Sequence, residues 1–494
     1  MLPPVIKRAR QCAPHRRRER GVTMALVALS MVAIISFAAL AIDLGFLYEA
    51  KAEAQRAADA AALTAARVIS VSGITGDPAN VDANWVSVCG PSGTATLAAV
   101  TVAQQNLVGG VAPSKVTVLY GTDAGIPTQT DCTNAGTGFG INPVVSVYVQ
   151  QANLPTFFAR IFSLIPSGTF SNSGVSATAY AEAFNPSDSN SGSPIPVQPR
   201  CVKPWVVPNQ DPQHPLGCGP GTTTGACTSF VNLTTGIITT PGMFAGGGVI
   251  GERFFLKPDC GATGTACTLL TGDNPPQAIP PVLQYVPGQA SAIPPVAMPT
   301  NGTTCLDVIS SYAQDIAGCD QSTVYQCGVP RGSNNNYSVD LSENPALGDT
   351  QNAVQCLIHQ TLPTTANPSG QDFLAPGGPL PPTYPFQIFA GTSNPLVGAG
   401  LASSSVITAS SSIVSLPIYD QTQPPTGLSP TGTTNVTIIG FLQVFINGVD
   451  STNGVDVTVL NVSGCGNAVG STAPALHGTS SVPVRLITPT PPSS

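Results

Sequence analysis

Charge is what this 494-residue chain has least of: Asp, Glu, Lys and Arg make up 9% of it, against about 25% in an ordinary soluble domain. Hydrophobic residues stand at 42%, so extra core does not replace the missing charge; Ser, Thr, Asn and Gln, with 50 Gly and 48 Pro, take its place. That balance argues against disorder driven by high net charge and for an uncharged, solvated, turn-rich exterior. Catalytic and metal signatures are equally scarce. None of Lys51, Lys115, Lys203 and Lys257 follows a glycine, so there is no G-K-[ST] phosphate loop; G-x-S-x-G, H-E-x-x-H and C-x-x-C are also missing. Zinc needs four convergent ligands, yet past the first 20 residues the chain has only His214, His359 and His477. Neither a metal nor a cofactor is expected. Gly136–Gly140 (GTGFG) lacks the third glycine spacing and a flanking βαβ unit, and reads as a loop. Paired carboxylates remain open, because any two acids can meet in space.

What charge there is lies unevenly. Lys7, Arg8, Arg10, Arg16, Arg17, Arg18 and Arg20 crowd the first 20 positions beside one acid, Glu19, whereas the remainder carries 11 basic and 24 acidic groups. The main body therefore has no basic excess for neutralising phosphates, and a nucleic-acid partner is not expected. Val22–Ile42 follows the cluster as 21 consecutive uncharged residues ended by Asp43, about 31 Å of helix against a hydrocarbon core of ~30 Å. A cleaved secretory signal has a shorter apolar stretch, about 7–15 residues, with a cleavage site soon after; a retained single-span anchor fits better. The basic flank before the span places the N-terminus in the cytoplasm and everything past Asp43 outside. Residues 50–66 then hold ten alanines in 17 positions, without Gly or Pro until Gly73, so one rod is expected over Val22–Ile69. Its alanine face would let another helix approach closely.

Arg20-Gly21, the span, the Asp43-x-Gly45-x-x-Tyr48 pattern and the run Gln55-Arg56-Ala57-Ala58-Asp59-Ala60-Ala61-Ala62-Leu63 together resemble the N-terminal region of the TadE/TadG-like Flp pilus-assembly proteins. The resemblance implies an inner-membrane component of the tight-adherence (Tad) machinery that builds Flp pili, with other Tad/Flp assembly proteins or pilins as partners through this helix. Prepilins cut after such a glycine commonly carry Glu five residues on; here that position is Leu26, so an uncleaved, TadG-like anchor is the better match. Some TadG-like chains also carry a von Willebrand A domain with a D-x-S-x-S metal site. Asp340-Leu341-Ser342-Glu343-Asn344 lacks the second serine and a preceding hydrophobic strand, and reads as a solvated loop.

Beyond the rod, residues 92–107 read as a helix stopped by Gly109-Gly110, while 115–120, 144–150 and 175–184 alternate as half-buried strands. Leu154–Leu164 reads as a short amphipathic helix, and the order strand, helix, strand again resembles TadG-like chains to about residue 185. The expected class is α+β: a cytoplasmic basic stub (1–21), the transmembrane helix with its alanine-rich extension (22–70), a small α+β module (71–185), a Ser/Pro linker (186–200), a Cys/Pro-rich irregular region (201–385) and an antiparallel β module (386–494) built on runs at 405–416, 435–447, 455–462 and 482–487. An echo, Cys218-Gly219…Cys227-Thr228 and Cys260-Gly261…Cys267-Thr268, marks two similar loops, too few for a repeat architecture. Cys12 lies on the cytoplasmic side. Cys89, Cys132, Cys201, Cys218, Cys227, Cys260, Cys267, Cys305, Cys319, Cys327, Cys356 and Cys465 form an even set outside, where disulfides are permitted. The reading is a non-enzymatic structural or adhesive component of pilus assembly. The alternative is a cell-envelope hydrolase or carbohydrate-binding protein that uses the same kind of anchor.

Overall fold

A computed structural model of the chain describes residues 19–78, 81–122, 125–156, 158, 173–187, 196–213, 228–258, 281–290, 305, 308, 310–320, 323, 325–326, 337–340, 347–360, 370–375, 382–421, 433–450, 454–465 and 475–488. Helix α1 (Glu19–Val71) runs 53 residues, about 80 Å at 1.5 Å per residue. It contains no proline and is rich in alanine, the best helix former. It stops where Gly73 takes a φ of 85°, a left-handed conformation that glycine adopts without a Cβ clash.

The second half of α1 lies on a sheet. Strands β1 (Lys115–Thr122), β2 (Pro143–Leu154) and β3 (Ser173–Ala183) pair antiparallel, with Val147 opposite both Val118 and Ala179. Val145, Val147 and Val149 on β2, and Ala177, Ala179, Ala181 and Ala183 on β3, are all buried at the two-residue period of one sheet face. The alanines of β3 keep that face shallow, so the helix comes close. Helix α2 (Thr94–Gln105) packs beside α1 and buries Ala95, Ala99 and Ala103, one per turn. The fourth strand, β10 (Val484–Ile487), comes from the far end of the chain and pairs with β3, Val484 opposite Ala183. At the branch point the Phe184 N–H donates to the Pro483 carbonyl at 2.9 Å. Residues 184–483 thus leave the sheet and return to it at one place, as an insertion between neighbouring strands.

The insertion is built on a closed barrel. Its strands are β4 (Trp205–Pro208), β5 (Arg253–Pro258), β6 (Val282–Pro287), β7 (Ile413–Tyr419), β8 (Ile438–Asp450) and β9 (Gly454–Gly464), in the order β7-β8-β9-β5-β6-β4. Pairs β7/β4 and β5/β6 are parallel; the others are antiparallel. Closure leaves no bare edge. Trp205, Tyr285, Phe254 and Phe445 belong to the main core, whereas Val206, Val286 and Phe441 face a second cluster with Val339 and Val436. Those last two come from a ladder, Tyr337–Asp340 against Thr433–Val436, that covers the outside. Helices α3 (Ser311–Ala317) and α4 (Leu347–Ile358) pack together, and the Tyr312 hydroxyl donates to that of Tyr285 at 3.0 Å.

Several expectations change. The strand expected at 482–487 as part of a C-terminal module belongs to the N-terminal sheet. The boundary at 385/386 falls between barrel strands β6 and β7, so the barrel draws strands from both sides of it, whereas that at 200/201 lies just ahead of β4. Within the expected linker, Asn185 and Ser187 just before and inside its start are buried, and Val197–Pro199 pairs in parallel with Leu476–Gly478. These runs of three to six residues carry no local mark of their partner; pairing across hundreds of residues is decided by burial. Most of the helix expected at Leu154–Leu164 and the Cys218/Cys227 and Cys260/Cys267 loops lie outside the described residues.

Candidate functional site

The feature that sets this chain apart is one helix in two environments. From Val22 to Ile42 almost every side chain of α1 is exposed, with Met24, Leu29 and Phe37 between 70% and 78%. The two serines of this stretch turn inward: Ser30 Oγ donates to the Val27 carbonyl and Ser36 Oγ to the Val32 carbonyl, both at 2.8 Å. Satisfying hydroxyls within the helix is what a hydrocarbon surrounding requires. A second stretch, Ala83–Gln105, is also long and apolar enough to cross a membrane, but it contains α2, whose alanines face α1, and it is a core element.

The environment changes at Asp43. This first charged residue past the span is buried and accepts the Phe158 N–H at 3.0 Å. Further along, Glu53 accepts the Gly109 N–H at 2.7 Å, Lys51 donates to the Ser176 carbonyl on β3, and Gln55 Nε2 donates to Asp59 at 2.8 Å while reaching the Thr178 carbonyl at 3.5 Å. Between these polar clamps runs the stripe Ala50, Ala54, Ala57, Ala58, Ala61, Ala62, Ala65 and Ala66, all buried. Ala60 and Leu63 are half-buried beside it. The stripe is covered by β2, β3 and α2 of the same chain. The close helix approach expected of the alanine face is made by the chain's own α2, and the same small side chains also admit its sheet.

The remaining motif positions have other surroundings. Tyr48 is 70% exposed, and a Cβ added at Gly45 would meet nothing within 4 Å, so neither is fixed by internal packing. Arg20 and Gly21 lie in the first turn of α1, the Arg20 side chain lying outside what is described.

Where α1 ends, the barrel grips it. Asn185 Nδ2 donates to the carbonyls of Thr75 and Val462 and to Asn461 Oδ1, each at 3.1 Å, and Asn461 Nδ2 donates to the Thr75 hydroxyl. The Phe386 N–H donates to the Ser72 carbonyl and the Gly242 N–H to that of Gly76, both at 2.9 Å. Trp85 Nε1 donates to the Tyr384 hydroxyl at 2.9 Å. Buried, mutually satisfied polar groups of this kind fix geometry; the inserted barrel is held to the helix end by more than its two chain crossings.

Cysteines brace the body. Cys89 is bonded to Cys132, Cys201 to Cys319 and Cys305 to Cys356; Cys465 is disulfide-bonded as well. Cys218, Cys227, Cys260, Cys267 and Cys327 lie outside the described residues. Among the described residues no group of three or more His, Cys, Asp or Glu could hold a metal ion. His359 closes α4 and His477 sits on the strand Leu476–Gly478, well apart in the chain, and His214 is outside the described residues. Asp340 ends the outer ladder, and the rest of its D-x-S-like segment is likewise outside them.

Two buried titratable groups were not legible in the sequence. Glu252, just before β5, lies against Asp211; burial first, then the Asp211 charge and hydrogen bond, push its carboxyl up to about 11. Lys203 donates to the Gly318 carbonyl at 2.5 Å and is pushed down to about 7 by burial, with Asp315 pulling it back up. Lys203 therefore caps the C-terminal end of α3. A carboxyl that holds its proton only when folded makes stability fall as pH rises above the unfolded value. Lys203 works in the opposite direction above about pH 7, and His359, lowered by burial from its ordinary 6.5, does so just below that value. Both are common to the natural chain and a Glu252 variant, so between about pH 5 and 7 the difference between the two chains isolates Glu252. There the slope for one proton is at most about 1.4 kcal/mol per pH unit. Denaturant titrations at pH 5, 6 and 7 should show a shallower fall, and higher stability at pH 7, for Glu252→Gln than for the natural chain; equal slopes would contradict the assignment.

No curated protein and no solved structure matches the chain. One protein family does, over the helix just described: residues 21–68, from the start of the apolar half to the end of the alanine stripe, match the family of putative Flp pilus-assembly TadE/G-like proteins.

Proposed function

We propose that this chain is a membrane-anchored, non-enzymatic component of Flp/Tad pilus assembly with a structural or adhesive role. The observation that carries the reading is the coincidence on α1: the family match spans the helix whose first half is exposed, apolar and long enough to cross a bilayer and whose second half is core. The seven basic residues ahead of the span place the N-terminus in the cytoplasm. The body then stands outside the inner membrane, in a compartment that permits its disulfides. Partners are other Tad/Flp assembly membrane proteins or pilins, met through the apolar half of α1 within the membrane, since the alanine half is occupied. Nothing in the acidic body favours nucleic acid.

The reading is tested by exchanging Val22–Ile42 and the basic stub for a cleavable secretory signal in a piliated host. The body is then exported without its anchor. The expected result is a soluble exported body with pili and surface attachment lost. A strain that releases the body and keeps its pili would contradict the proposal.

A further inference from the structure

The base of the body carries a group of exposed apolar side chains near the point where α1 leaves its span. Phe158 is fixed there by its backbone bond to Asp43 and is 37% exposed. Tyr48, 70% exposed, lies five residues further along α1, about 7.5 Å. A tight turn joins α2 to β1, with Val108 bridging Val111 and Gly109 and Gly110 at φ 62° and 82°, the left-handed pair that a type I′ turn demands. The turn is held beside α1: the Gly109 N–H is bonded to Glu53, and a Cβ on Gly109 would stand 3.5 Å from the Phe46 ring and collide with Leu154. Its tip points Leu107 and Val111 outward, 53% and 50% exposed. The run Leu107–Pro113 (LVGGVAP) has no charge, while Lys51 and Lys115, both exposed, flank it.

Singly, such side chains are ordinary on a protein surface. Together they gather beside one helix within the layer of headgroups, which adds roughly 5–8 Å to each side of the hydrocarbon core. Aromatic and apolar groups with lysines beside them are what an interfacial element presents. We propose that this base, made of Tyr48, Leu107, Val111 and Phe158, rests in the headgroup–acyl boundary of the leaflet from which α1 emerges, so that the body is seated on the lipid and not merely tethered above it. The proposal rests on the reading of Val22–Ile42 as a membrane span. It also gives the exposed Tyr48 of the family pattern an occupant: lipid.

Tryptophan quenching by brominated lipids in vesicles holding the full chain tests it. The two natural tryptophans, Trp85 and Trp205, are fully buried and give a constant background. Leu107→Trp and Val111→Trp should lose their added emission in vesicles brominated near the headgroup, and keep it where bromine sits near the chain ends. Leu233→Trp should be unquenched in both, because its hairpin packs at the Gly464 end of β9 beside the C-terminus of α1, about 40 Å along the helix from Asp43. Phe37→Trp reports the span and should be quenched by the deep label. Quenching at Phe37→Trp with none at positions 107 and 111 would overturn the seated base and leave the anchor standing. No quenching at Phe37→Trp would overturn the anchor, and the seated base with it.

Discussion

Replacing Cys201 and Cys319 together by serine will lower the stability of the body by about 5 kcal/mol, the loop-closure estimate for a bridge between residues 118 apart. The bridge joins the chain just before β4 to the residue just past α3, where Lys203 also caps the helix. Both cysteines are half-buried, so serine introduces little unsatisfied polarity and the change acts mainly through the unfolded chain. Folded domains hold only about 5–15 kcal/mol in total, so this single cross-link is comparable with the whole margin. The Cys89–Cys132 bridge, 43 residues apart, should contribute about 4 kcal/mol on the same scale. Denaturant unfolding of the oxidised proteins measures the difference, and a reductant should abolish it. A double variant within 1 kcal/mol of the natural chain would show that contacts around β4 and α3 already confine these ends.

How much of this was legible in the sequence follows from which elements carry their own period. The 21-residue apolar run and the alanine-rich run after it each announce helix, and α1 joins them. The alternation at 115–120, 144–150 and 175–184 announces β1, β2 and β3, because only one face of that sheet meets the helix. The barrel carries no such mark. All of Trp205–Pro208 is buried, the strand being packed on both faces, so its pattern reads as an apolar scrap among prolines. Its parallel pairing to β7, through Val207 and Ile418, depends on closure of the whole barrel. The return of β10 to the first sheet is equally non-local. The candidate site divides the same way: the motif on α1 is contiguous and legible, whereas the Asp211–Glu252 pair and the group of Leu107, Val111 and Phe158 assemble from separate loops. The direction in which the alanine stripe faces also had to come from the fold, since small residues admit a sheet as readily as a helix.

That stripe makes the boundary between anchor and body a specific claim: it lies at Asp43, within α1, and not at the helix end. Residues 50–69 contribute eight fully buried alanines together with Ile69, and they close the sheet face formed by Val145, Val147, Val149 and the alanines of β3. Removing them uncovers that face and discards the clamps of Lys51, Glu53 and Gln55. Removing residues 1–42 touches none of this. The direct measurement compares two chains produced in an oxidising compartment, one beginning at Asp43 and the other at Gly73. The chain from Asp43 should be soluble without detergent and unfold in a single cooperative transition, while the chain from Gly73 should lack that transition and aggregate. If the chain from Asp43 still needs detergent, or the chain from Gly73 folds as well as the longer one, the division of α1 between bilayer and body is wrong.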